Sequence, residues 1–181
     1  MNWGSSTQAQ CYSIALKSVI DLNGMEEHVK NYRPQILILS GVPGWRPPMI
    51  HWANLITKGG SLLICGHVVK VKNIFTYFEL LAKAHQINFY CFFFFFFLLQ
   101  GVHSQRENDA LLRKGNRWLN NQKIKGFFHI ATEKDLESGA RSLMQCVGIG
   151  KLRPNMVLIG YKSDWAKCDR NDLLQYFNII Q

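Results

Sequence analysis

Four short apolar runs, each bounded by proline or glycine and separated from the next by a helix-like pattern, restrict this chain more than any other feature. Gln35-Ile36-Leu37-Ile38-Leu39-Ser40 lies between Pro34 and Gly41, and Ser61 to Val69, Gly126 to Ala131 and Asn155 to Tyr161 follow. A strand with one wet face alternates apolar and polar residues. A run that is apolar at nearly every position needs cover on both faces, which is the condition of a parallel sheet. The expected parallel strands are Ile36–Ser40, Ser61–Val69, Gly126–Ala131 and Met156–Gly160.

The intervening segments carry helix signals. Ser5 and Thr7 each stand three residues before a glutamine, Gln8 and Gln10, which gives two capping boxes for a first helix over Gln8 to Leu22. Ala9, Tyr12, Leu16, Val19 and Ile20 share one face of it, and Asn23-Gly24 is the stop. Pro47-Pro48 opens a second helix with Met49, Trp52, Ala53 and Ile56 at helical spacing, ended by Gly59-Gly60. Leu111, Leu112, Trp118 and Leu119 mark a third. Thr132 with Asp135 caps a fourth, whose face is Leu136, Ala140, Leu143, Met144 and Val147. Leu173, Tyr176, Phe177 and Ile180 form the last helical face, which reaches Gln181 without a stop signal, as expected of a truncated product. Strands alternating with helices imply an α/β fold, a mainly parallel sheet with helices on both faces, Rossmann-like or stress-protein-like.

A content of 48% hydrophobic and 18% charged residues over 181 residues belongs to a folded chain. The formal charge of +9 favours an acidic partner, but the basic residues are scattered. No aromatic-interleaved basic motif is present, so no nucleic-acid partner is expected. The five cysteines form no CxxC pair, and the six histidines no metal-ligand spacing. Cys65 and Cys146 stand in apolar runs and read as buried thiols, in a reducing cytosolic setting. Asn2-Trp3-Gly4-Ser5-Ser6 has none of the marks of a signal peptide.

Val71 to Gln100 breaks the strand–helix order. It ends in Cys91, six consecutive Phe, two Leu and Gln100, and the apolar run of Phe89 to Leu99 is far short of the roughly 20 residues a spanning helix needs. Phenylalanine codons are TTT or TTC, valine codons begin with GT, and glutamine can be CAG. A GT start, a pyrimidine tract and a terminal CAG are the marks of an intron, so the segment reads as a retained intron translated in frame. A short hydrophobic anchor is the rival reading.

No catalytic, cofactor-binding or metal site is expected. Ser40-Gly41-Val42-Pro43-Gly44 follows the first strand, where open α/β sheets bind ligands, and Gly148-Ile149-Gly150-Lys151 with Pro154-Asn155 would place amides and a lysine near a phosphate. Neither is GxGxxG or a P-loop, and caps and turns account for these glycines. Cys65 and His67 share a strand face, yet no third group orients the imidazole. Asp164, Asp169 and Asp172 surround a helix start, where capping accounts for them, and Arg33 and Arg153 are expected in solvent. A GxSxG nucleophile elbow is absent, which disfavours a hydrolase.

With Val71 to Gln100 set aside, the chain resembles the tail of cation–chloride cotransporters, especially the insect-like sodium-potassium-chloride branch. The blocks that carry this are Asn2-Trp3-Gly4-Ser5-Ser6-Thr7-Gln8-Ala9, Glu27-His28-Val29-Lys30-Asn31-Tyr32-Arg33-Pro34-Gln35, Cys65-Gly66-His67-Val68, Gly148 to Asn155, and Gly160-Tyr161-Lys162-Ser163-Asp164-Trp165. The resemblance implies electroneutral symport of chloride with sodium or potassium, carried by a membrane domain that this chain does not contain. It implies that 1–24 is a connector helix after that membrane domain, and that 33–181 is a truncated cytosolic α/β domain with 71–100 inserted. It implies the membrane domain of the same transporter and a second copy as partners, at the cytosolic face of a membrane, and a soluble fragment if expressed alone. The alternative is a free-standing nucleotide-binding α/β protein of the stress-protein kind.

Overall fold

The computed structural model describes residues 5–26, 28–70, 89–162 and 164–180, with only the backbone course given at 89–104. The elements are α1 (Ser6–Gly24), β1 (Ile36–Leu39), α2 (Pro47–Thr57), β2 (Leu63–Lys70), α3 (Phe89–Asn121), β3 (Phe127–Glu133), α4 (Leu136–Cys146), β4 (Met156–Ile159) and α5 (Arg170–Ile180). The strands form one sheet in the order β3-β2-β1-β4. Every pairing is parallel: Ile36 stands beside Leu63 on one side and Met156 on the other, and Ile64 stands beside Phe127. The four expected strands are therefore present and parallel, with ends moved by one or two residues.

The two-faced apolar character of β1 has its reason in the packing. Ile36 and Ile38 enter one core with Ile50 and Ala53 of α2, Leu119 of α3, and Leu63, Cys65 and Phe128 from the neighbouring strands. Leu37 enters the opposite core with Ile64, Leu143 of α4 and Val147. Each of these fully buried aliphatic side chains contributes roughly 1.5–3 kcal/mol. The sheet grows one way from β1 through β2 and β3 with α2 and α3 on one face. It then returns to the far side of β1 through α4 on the other face, so the order reverses between β1 and β4. That is a doubly wound sheet.

The helix ends show which local signals count. Ser5 is the N-cap of α1, its Oγ accepting from Gln8 N at 3.3 Å, whereas Thr7 lies inside the helix. Both prolines of Pro47-Pro48 sit in the first turn of α2, where an absent N–H costs nothing. At the other end of α2 the left-handed cap is Lys58, with φ 48°, and Gly59 follows it. Asp135 alone caps α4, accepting from Ser138 N at 2.8 Å. Thr132, expected to share that role, belongs to β3 and accepts a hydrogen bond from Asn108. The sequence expectation for Cys146 also fails. It is exposed because it is the last residue of α4 and lies off the face that meets the sheet, whereas Cys65 is fully buried.

Residues 71–88 of the Phe-rich segment lie outside the described residues. From Phe89 the backbone runs on as α3, so the helix expected around Leu111 to Leu119 is part of a 33-residue one. Among the described residues no helix is long and apolar enough to cross a membrane.

Candidate functional site

A doubly wound sheet offers its ligand crevice at the carboxyl ends of the strands, where the order reverses. Here that place lies between the ends of β1 and β4, and side chains occupy it. Gly41, at φ 75°, turns the chain out of β1, and Trp45 lies so close that a Cβ there would meet its Cε3 at 2.9 Å. The Trp45 ring makes an edge contact with His67, their centroids 5.4 Å apart. On the β4 side the Arg46 guanidinium lies where a Cβ on Gly160 would stand, 2.3 Å from Nη1, and Tyr176 Oη donates to Gly160 O. Ser40 is buried and donates to the carbonyl of Gly41. The Ser40–Gly44 turn is thus packed by aromatic and guanidinium groups of the chain itself.

Cys65 and His67 do share a strand, β2, but they make no thiol–imidazole pair. Burial pushes the Cys65 thiol up to about 12, which keeps it protonated and unreactive near neutral pH. Burial lowers the His67 imidazole below its ordinary value, so it stays neutral beside Trp45. Neither hydrogen-bonds the other among the described residues. The carboxylates around α5 are structural. Asp169 accepts from Arg170 N, Asp172 pairs with Lys70 at 3.2 Å, and Asp164 pairs with Lys162. Arg33 donates to the neighbouring Tyr32 carbonyl, and Arg153 is exposed as expected. Among the described residues no group of three or more His, Cys, Asp or Glu could hold a metal ion.

The second glycine loop is a socket. Gly148 and Gly150 both have positive φ, 115° and 58°. Gly150 meets Asn23 at the end of α1, where an added Cβ would come within 2.1 Å of Oδ1. The Lys151 amide donates to Asn23 Oδ1 at 2.9 Å, and Lys151 Nζ donates to the carbonyl of Met25. Asn155 ties the same loop to the entry of β1, accepting from Gln35 N at 2.9 Å and donating to Arg33 O at 3.0 Å. The Lys151 amide and ammonium, which would serve an anion, are engaged by the C-terminal end of α1. Sequence reasoning singled out this loop and assigned its glycines to caps and turns, but it did not foresee Asn23, which lies 128 positions from Lys151.

Beyond that socket α1 is bare. No residue of its 19 is buried, and Tyr12, Ile14, Leu16 and Ile20 are 70%, 58%, 47% and 60% exposed. Of the face that sequence periodicity marked as apolar, Ala9, Tyr12, Leu16 and Ile20 are exposed and Val19 is half-buried. An amphipathic helix fixed at one end, with its apolar stripe open, calls for a partner outside the α/β body.

The chain is similar to known proteins. The model of solute carrier family 12 matches residues 97–181. A bumetanide-sensitive sodium-(potassium)-chloride cotransporter from Manduca sexta is 39% identical over 180 residues, which cover 99% of this chain. The chain belongs to the cation–chloride cotransporter family. Solute carrier family 12 members 2 and 3 from Homo sapiens are 36% and 35% identical over 99% of it. The chain spans only 14%, 12% and 15% of the insect protein and of human members 2 and 3, respectively. It is therefore a piece corresponding to a small part of a cotransporter of this family, whose members are transporters and not enzymes.

Proposed function

We propose that this chain is part of the cytosolic C-terminal regulatory and dimerisation domain of an electroneutral sodium-potassium-chloride symporter. It takes part in chloride and potassium transport only within the whole protein. Residues 1–24 act as the connector from the membrane domain, and 33–181 as the truncated α/β domain. The observation that carries this reading is the exposed apolar side chains of α1, a helix tied to the body by Asn23 at its C-terminal end. A connector must leave the domain and still be oriented by it, and the Asn23–Lys151 socket supplies that orientation. Hydrogen exchange on the full-length transporter tests it. Protection of α1 should fall when detergent dissociates the dimer or strips away the membrane domain, and protection unchanged by either treatment rejects the connector.

We further propose that Val71 to Gln100 is absent from the mature transporter. Among the described residues, α3 meets the sheet at Asn108, bonded to Thr132, and at Leu112, packed on the core. Joining Lys70 to Gly101 therefore leaves a connection of ordinary length before that contact. Sequencing the spliced message across this junction is the test, and messages that consistently encode 71–100 reject it.

A further inference from the structure

The two ends of the sheet differ in charge balance. At the carboxyl end, basic residues meet carboxylates: Lys70 pairs with Asp172, and Lys162 with Asp164. At the amino end, the segment entering β1 carries Glu26 and Glu27, while those entering β2, β3 and β4 contain Lys58, Lys123, Lys125, Lys151 and Arg153 and no carboxylate. Lys151 is committed to Met25. Lys58, Lys123 and Lys125 are exposed and have no ion-pair partner among the described residues.

Lys58 is distant in sequence from Lys123 and Lys125, which stand two residues apart, and all three meet in one place. With Asn54, Leu55 and Gly59 they line a depression of about 370 Å³. A second depression of about 620 Å³ adjoins it through Gly59, Lys123 and Lys125, and adds Ser61, Asn120 and Phe127. The aliphatic stem of Lys125 crosses Gly59, its Cδ 3.1 Å from where a Cβ would stand. Leu55 and Phe127 at the rim are 70% and 66% exposed.

Cations at helix C-termini complement the helix dipole, and that accounts for basic residues near the ends of α2 and α3. It does not account for the conformation. Among the described residues, Lys58 and Lys123 are the two non-glycine residues with positive φ, at 48° and 55°, in positions where glycine is the less strained choice. Nor does it account for Lys125, which enters from the start of β3. Two strained lysines and a third from another element converge on a concave surface edged by exposed apolar side chains.

We propose that this amino-end groove is a docking site for an acidic peptide segment bearing an apolar side chain. Carboxylates of the segment meet Lys58, Lys123 and Lys125, and its apolar residue sits against Leu55 or Phe127. Asn54 and Asn120 offer amide groups to its backbone. Concavity favours a peptide over a bilayer, whose flat surface cannot enter the depressions. Phe127 is a single ring, whereas single-stranded nucleic acid needs a succession of stacking platforms. This goes beyond the transporter reading and does not depend on it.

The test is a titration of the chain with a short fluorescein-labelled Asp/Glu-rich peptide containing one Leu, followed by anisotropy. The triple variant Lys58→Gln, Lys123→Gln, Lys125→Gln should weaken binding about tenfold. A charge-matched control, Lys17→Gln, Lys134→Gln, Lys167→Gln, alters exposed lysines elsewhere and should change it by less than about twofold. Circular dichroism checks that both variants fold, and the single variant Leu55→Ser, which leaves every charge in place, should also weaken the peptide. Equal losses in the two triple variants would show a nonspecific response to net charge and overturn the proposal. So would tighter, groove-dependent binding to phosphatidylserine vesicles or to an oligonucleotide than to the peptide, or no peptide binding at all.

Discussion

β1 and β4 are both apolar at every position, Ile-Leu-Ile-Leu against Met-Val-Leu-Ile, and they lie side by side in register. Their surroundings differ. Leu37 is completely buried, whereas its register partner Val157 is 43% exposed and Met156 is 42% exposed. β1 has a strand on each side and helices on both faces. β4 has β1 on one side and, among the described residues, no strand on the other. An apolar run is thus a capacity for two-sided burial, and its neighbours decide how much of that capacity is used. An uncovered apolar edge of this kind is a place where another strand or chain can pair.

The largest effect expected is a direct break of that comparison. Leu37→Asp places an unpaired charge between two filled cores and should cost more than about 4 kcal/mol, enough to abolish cooperative unfolding in urea. Val157→Asp, at the same register position on β4, should cost on the order of 1 kcal/mol, because the carboxylate can reach water. Equal losses would mean that β4 is as well covered as β1.

Gly150→Val sharpens the comparison at the loop that enters β4. The residue would need a left-handed backbone and would collide with Asn23, so α1 should come off its socket at a cost of about 1–3 kcal/mol. Faster hydrogen exchange in α1 and in the β4 entry, with β1 unchanged, is the expected pattern. Faster exchange of β1 and β4 together would show that the loop supports both strands alike.

The smallest effect concerns α4, which covers one face of β1. The Ser138 backbone and side-chain hydrogen bonds hold the Asp135 carboxyl below its ordinary value. A carboxyl lowered in the folded state contributes stability that is present above its unfolded value near 3.8 and is lost as pH falls through the folded one. Asp135→Asn should therefore differ from the parent at neutral pH and converge with it under acid. Denaturant melts across that range check this, and a gap that persists at low pH would place the stabilisation elsewhere.

β1 and β2 were legible because two-sided burial leaves a plain mark, an apolar residue at almost every position, whereas β3 and β4 carry the same mark with Phe127, Met156 and Val157 exposed. Ser5, the proline pair and Asp135 were legible because a cap acts within one helical turn. Thr132 was misread because a threonine beside a strand end serves a strand as well as a cap, and Cys146 because an apolar neighbourhood in sequence does not say which way a helix turns. The Gly148–Lys151 loop was visible as special, but its partner Asn23 was not.

The sequence by itself determined the fold class, the strand positions and the starts of α1, α2 and α4, since these depend on interactions within a few residues and on the period of the apolar pattern. It also bore the family resemblance. Only the tertiary structure decided that α1 stands free of its own sheet, that β4 is half covered where β1 is sealed, and that Lys58, Lys123 and Lys125 converge. The physical reason is common to all three. Exposure and charge clustering depend on which distant segments the sheet order brings together, and no local period in the chain encodes that.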